Sequence, residues 1–144
     1  MNSLGTDILA AMMDWSNAEP PSLDDLERLA RAAFAALPKH FRALTGDVVF
    51  AVREFPDPDV MRDLALESEF DILGLFHGST LAERAGYGGR AEPTMIFLYR
   101  RPILDYWAEN GGELGALVRH VIVHEIGHHF GLSDDDMEAI EEGD

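Results

Sequence analysis

The chain has 144 residues, 47% of them hydrophobic and 26% charged, which is long enough for one buried core and typical of a folded globular protein. Its 27 acidic against 11 basic side chains give a formal charge of −16, so most of the surface repels a phosphate backbone and no nucleic-acid partner is expected. There is no cysteine, which excludes disulfides, thiolate ligands and thiol nucleophiles and leaves only His, Asp and Glu to hold a transition metal.

Residues 1–21, ending in Glu19-Pro20-Pro21, read as a leading segment with one helical turn at residues 8–15, and residues 22–144 as a single domain. The start lacks the basic residues and long apolar core of a secretion signal, and no apolar run reaches spanning length. This points to the cytoplasm and to no membrane partner. Ser22 with Asp25 is an N-cap signal, and Leu23, Leu26, Ala30, Ala33 and Leu37 then recur at helical spacing as far as Pro38. Residues 48–52, Val-Val-Phe-Ala-Val, are a continuous apolar run rich in β-branched side chains, predicting a strand buried on both faces that ends before Pro56 and Pro58.

A short helix is predicted at residues 59–67, followed by strands at residues 72–76 and 95–99. The connection between those strands, residues 77–93, carries Gly78, Gly86, Gly88 and Gly89 and is longer than a hairpin loop. It reads equally as a functional rim or as an excursion with no role. Residues 113–130 predict one long helix with apolar side chains on nearly every face, the pattern of an interior helix. Gly131 is placed to stop it in the left-handed conformation, and Ser133 with Asp136 to cap a last short helix through residue 142.

The chemistry lies at the end of the long helix, in His124-Glu125-Ile126-Gly127-His128-His129-Phe130-Gly131-Leu132-Ser133-Asp134. A helix advances about 100° per residue, so His124 and His128 share a face one turn apart and both imidazoles can reach one Zn²⁺. Glu125, rotated by about 100°, can contact a metal-activated water without competing for the metal, which makes it the candidate general base. The bare pattern arises by chance in roughly a few of every thousand chains of this length. Context therefore decides. The polar trio sits on an otherwise apolar helix, where unsatisfied polar groups are costly. Asp134, just after the Gly131 reversal, stands at an offset from which its carboxylate can return to the same ion. Two His and one carboxylate leave the fourth position open, the catalytic rather than the structural arrangement.

With these residues the sequence resembles the zincin clan in its extended form His-Glu-x-x-His-x-x-Gly-x-x-Asp, matched by His124, Glu125, His128, Gly131 and Asp134. Over roughly residues 22–140 it is similar to the small bacterial minimal zincin-like metallopeptidases. The likeness lies in Gly74-Leu-Phe-His-Gly78, Glu83-Arg84, the stretch from Phe97 to Leu104 and the His124 segment. The resemblance implies an α+β domain, a small mixed β-sheet of three or four strands packed on helices, with a buried metal-binding helix beneath it. It implies a zinc-dependent metallopeptidase acting on peptide or protein substrates, with Glu125 as base and His124, His128 and Asp134 on the metal. By analogy the strand at residues 72–77 is the edge that pairs with an extended substrate.

One departure concerns the third ligand. Met137 stands too close to Asp134 to form the methionine-bearing turn of metzincins, and the ten residues after Asp134 leave no room for a distant downstream Glu. Glu138, one turn beyond Asp134, and His129 stay open as substitutes. His129 also reads as a donor behind the metal ligands, a group facing the substrate or a packing residue, and His120, one turn before His124, as a partly exposed side chain beside Arg119. His77, Tyr87 and Tyr99 are candidates to steady an oxyanion and equally to pack. Arg100 and Arg101 read as a structural ion pair ahead of a substrate-carboxylate clamp.

Rival readings are a zinc-binding protein without peptidase activity and an interaction domain without metal. Zincin-like endoribonucleases of ribosome maturation, with three His and usually no Glu after the first, fit less well given Glu125, Asp134 and the acidic surface. No residue pattern specifies an oligomeric state.

Overall fold

The structure is a computed structural model that describes residues 16–78 and 94–143. The helical turn expected at residues 8–15, and residues 79–93 of the long connection, lie outside the described residues.

Helix α1 (Leu23–Ala35) starts on a capping box: the Ser22 hydroxyl accepts the Asp25 N–H, and the Asp25 carboxylate accepts the Ser22 N–H. Those backbone and side-chain donors at Ser22 hold the Asp25 carboxyl below its ordinary pKa. Leu26 and Ala30 on its inner face are fully buried. A short helix α2 (Lys39–Arg42), which the sequence pattern did not announce, follows Pro38 and buries Phe41. Strand β1 (Val48–Arg53) leads through Asp57 into α3 (Pro58–Asp63), shorter than the helix expected at residues 59–67. It stops at Leu64, and Ala65 takes a positive φ of 53°.

Strands β2 (Gly74–His77) and β3 (Thr94–Tyr99) complete a three-stranded mixed sheet in the order β1-β3-β2. β3 runs parallel to β1 and antiparallel to β2. This corrects one expectation: β1 is not buried on both faces. It is an outer strand, with Phe50 and Ala51 buried and Val49 46% exposed. The central place belongs to β3, whose Ile96 and Leu98 are fully buried at alternate positions.

Helix α4 (Arg100–Asn110), also not expected, follows β3 directly. Pro102 hid it; a proline in the first turn removes no intrahelical hydrogen bond and is compatible with a helix start. Arg100 tethers the segment before α1, its Nε donating to the Pro21 carbonyl at 2.6 Å and its Nη1 to both Glu54 carboxylate oxygens at 3.0 and 3.2 Å. The Arg101 guanidinium lies 5.7 Å from the Phe55 ring centre. Both arginines thus have structural partners.

Helix α5 (Leu114–His129) packs on α1, α4 and β2, with Val118, Ile122, Val123 and Ile126 fully buried. It is not buried all round, because Ala116, Arg119, His120, His128 and His129 are exposed. Its close seat on the sheet depends on Gly74, where a Cβ would stand 2.8 Å from Val121 Cγ1 and 2.9 Å from the Phe97 carbonyl oxygen. The end of α5 is a Schellman turn, with Leu132 N–H on the Gly127 carbonyl at 2.8 Å and Gly131 N–H on the His128 carbonyl at 3.3 Å. Gly131 takes the expected left-handed φ of 73°.

Helix α6 (Asp134–Glu141) opens on the expected Ser133/Asp136 capping box. Met137 of α6 meets Gly127, while Glu141 meets His120 and His124, so α6 runs back along α5. Met137 is fully buried and occupies the space of the missing Gly127 side chain, where a Cβ would come within 2.3 Å of its sulfur.

Candidate metal centre

The last two turns of α5 present His124 and His128 one turn apart, their ring centroids 5.5 Å apart and their planes at 89°. Two imidazole nitrogens about 2.0–2.1 Å from a tetrahedral zinc put the ring centroids about 5.2 Å apart. The centroid spacing is close to that value, whereas the ligand atoms that already converge among the described residues are those of His120, His124 and Glu141, and neither His128 nor Asp134 is in that group. His124 is partly buried, and that burial pushes its pKa below the ordinary value. His120 adds to the shift, Glu141 opposes it, His128 adds again and Asp134 opposes it. The neutral imidazole, with a lone pair to give, is the favoured form.

Glu125 points to the sheet side. Tyr99 donates its N–H to the Leu73 carbonyl at 3.0 Å, and the register pairs Leu75 with Phe97. In an antiparallel ladder this makes Phe76 a non-hydrogen-bonded position whose N–H and C=O face away from β3. The Phe76 N–H lies on the Glu125 side of the strand and favours its carboxylate form. Burial raises the Glu125 pKa, opposed in part by His128 and by the Phe76 hydrogen bond. The candidate base thus sits between the imidazole face of α5 and the Phe76 backbone of β2.

The surrounding side chains sort as follows. His129 stacks on Phe76 at 4.1 Å between centroids, and Phe130 meets Phe76 edge-on at 6.0 Å, so both fasten the end of α5 to β2. Tyr99 is only 2% exposed. Burial, with Asp57 and Glu125 nearby, pushes its hydroxyl pKa up to about 12, so it is a neutral core residue. His77 is exposed at the end of β2, and Tyr87 lies outside the described residues. Asp134 is exposed in the first turn of α6, where a carboxylate also favours the helix dipole. Glu138 is exposed on α6.

The structure adds Glu141, which the sequence pattern did not single out, and gives His120 a place beside it. His120 stacks on His124 at 3.9 Å between centroids, and its Nδ1 is 2.6 Å from Glu141 Oε1. Glu141 Oε1 also stands 3.7 Å from His124 Nε2. Among the described residues, His120, His124 and Glu141 form the group of three whose ligand atoms all lie within 4.8 Å of one another. The signals were present in the sequence: His120 continues the His124/His128 stripe by one more turn, and Glu141 falls two turns after Asp134 on α6. His120 is half exposed, as expected, and its ring also stacks on His124. Glu141 Oε1 is buried and makes no well-aligned hydrogen bond, although His120 Nδ1 stands 2.6 Å away. Imidazoles with a buried carboxylate oxygen are a donor set that fits a zinc-like cation.

The family model of zincin-like metallopeptidases matches residues 45–144, well over half of the chain. The protein belongs to that family. No curated protein matches it. The match covers all three strands and α3 to α6, the elements that frame the His124 face. Among the described residues no helix is long and apolar enough to cross a membrane.

Proposed function

We propose that the protein is a zinc-dependent peptidase in which His124 and His128 hold the ion, Asp134 completes the ligand set and Glu125 is the general base. The observation that carries this reading is the place of Glu125: a partly buried carboxylate one residue from His124, near His128 and the Phe76 backbone of β2, its pKa raised by burial. Zinc in such a site supplies a Lewis acid for the scissile carbonyl and acidifies the attacking water. Glu125 takes the proton from that water and passes it to the leaving amine, a task favoured by a pKa raised towards neutrality. The edge of β2 away from β3, through the Gly74 backbone groups and the Phe76 carbonyl, would orient an extended peptide across the site. Phe76, His129 and Phe130 form an aromatic floor beside it.

The test is E125Q, compared with the parent protein for zinc content and for hydrolysis of a mixed peptide library. Zinc content is expected to stay unchanged while hydrolysis falls by about 10²–10⁴-fold, the usual range for general acid–base catalysis. Full hydrolysis by E125Q would end the peptidase reading. Equal, negligible zinc in the parent and in H124A would end the metal reading as well.

A further inference from the structure

We infer that α5 and α6 build a second cation position, formed by His120, His124 and Glu141, which shares His124 with the His124/His128 pair and excludes an ion there while it is filled. It goes beyond the peptidase reading, which uses neither His120 nor Glu141. Three observations carry it. The ligand atoms of these side chains already lie within 4.8 Å of one another. Glu141 Oε1 is buried with two imidazole nitrogens as its near polar neighbours, at 2.6 and 3.7 Å, and makes no well-aligned hydrogen bond. Finally, His120, His124 and His128 are spaced by four residues, so the donor stripe runs one turn further back along α5 than the His-Glu-x-x-His motif requires.

Geometry says how much must move. Two donors about 2.0–2.1 Å from a tetrahedral zinc stand about 3.3–3.4 Å apart. The His124 Nε2 to Glu141 Oε1 distance of 3.7 Å needs to close only slightly, whereas the His120 Nδ1 to Oε1 distance of 2.6 Å has to open. The His120 side chain is 50% exposed and free to swing outward, while Glu141 is 21% exposed and held on α6. The adjustment therefore falls on the exposed partner. Two imidazoles with one carboxylate select a borderline ion such as Zn²⁺ over Mg²⁺ or Ca²⁺, which prefer all-oxygen sets.

Exclusion follows from the chemistry of His124. A neutral imidazole has one acceptor nitrogen, so His124 serves one ion at a time. An ion at the rear position takes His124 from the position beside Glu125, so the two one-ion states compete in a ratio set by their relative affinities.

The test removes the motif position while leaving the rear one intact. H128A changes an exposed side chain and leaves the core alone. Zinc binding is followed by competition with a chromophoric chelator, and the ligand field by the visible spectrum after Co²⁺ loading. H128A is expected to keep one zinc per chain with affinity within about tenfold of the parent, and H128A/E141Q and H128A/H120A to lose at least about a hundredfold. Loss of zinc from H128A down to the level of H124A would overturn the second position. If the parent and H120A/E141Q then still bind one zinc, the peptidase site stands without it. If the parent binds none, both readings fall. Two zinc ions per chain in the parent would overturn the exclusion.

Discussion

Val118, Ile122 and Ile126 on one side of α5 are fully buried, whereas His120, His124 and His128 on the other side are exposed or only partly covered. The two stripes share one helix and one four-residue spacing, yet they are held in different ways. The apolar stripe is packed by α1, the sheet and α6, and many dispersion contacts fix it. The histidine stripe rests on a few directed contacts: the stack of His120 on His124 and the Glu141 carboxylate from α6 beside both rings. The packed side makes the helix immobile, and that rigidity lets so few contacts fix the donors on the open side. Glu141 Oε1, buried without a well-aligned hydrogen bond, marks the cost of gathering acceptors and imidazoles before a ligand arrives.

The contrast can be broken most strongly from the packed side. I122A should lower unfolding stability by about 2–5 kcal/mol in urea titrations, the range for truncating a buried aliphatic. Zinc stoichiometry of the folded fraction should be unchanged; a selective loss of zinc at retained stability would show that the two stripes are not separable. G127A places a methyl group against Met137 and should cost about 1–3 kcal/mol through overpacking, offset by about 1 kcal/mol of helix propensity. Because the clash displaces α6, it should also weaken zinc binding, and the stability loss of G127A/M137A should fall short of the sum of the single losses. Strict additivity would mean that the two residues do not meet.

S133A removes the α6 cap and should cost about 1 kcal/mol in thermal or urea unfolding. Because α6 carries Asp134 and Glu141, its zinc affinity should drop with the cap. The smallest change sharpens the picture of Glu125. Its folded-state pKa is raised, so ionising it works against folding: stability is greatest below the ordinary carboxylate range and declines as pH rises through the raised pKa. E125Q lacks that penalty. In the metal-free protein, the melting temperature of E125Q should exceed that of the parent by a margin that widens from pH 4 towards neutrality. A margin that stays flat or narrows would contradict the buried placement of Glu125.

Local rules made much of this molecule legible in the sequence. Helical spacing put His124 and His128 on one face, Gly131 ended α5 in the left-handed conformation, and both capping boxes lay at Ser22 and Ser133, because each depends on residues within one turn. The α+β class, the zincin-like family and three strands were readable for the same reason, from runs of side chains a few residues long. Which strand took the centre of the sheet was not. A continuous apolar run such as residues 48–52 suits an outer strand with one covered face as well as an inner one, and only the pairing of β3 with both neighbours decided it.

The same holds at the candidate centre. That His120 and Glu141 close on His124 depends on the angle of the Schellman turn and on Met137 seated against Gly127, a non-local fit between two helices. Spacing along a helix fixes what one face can offer. What meets that face is decided by packing, since the sequence sets the length and caps of α6 but the contact between side-chain volumes sets its course.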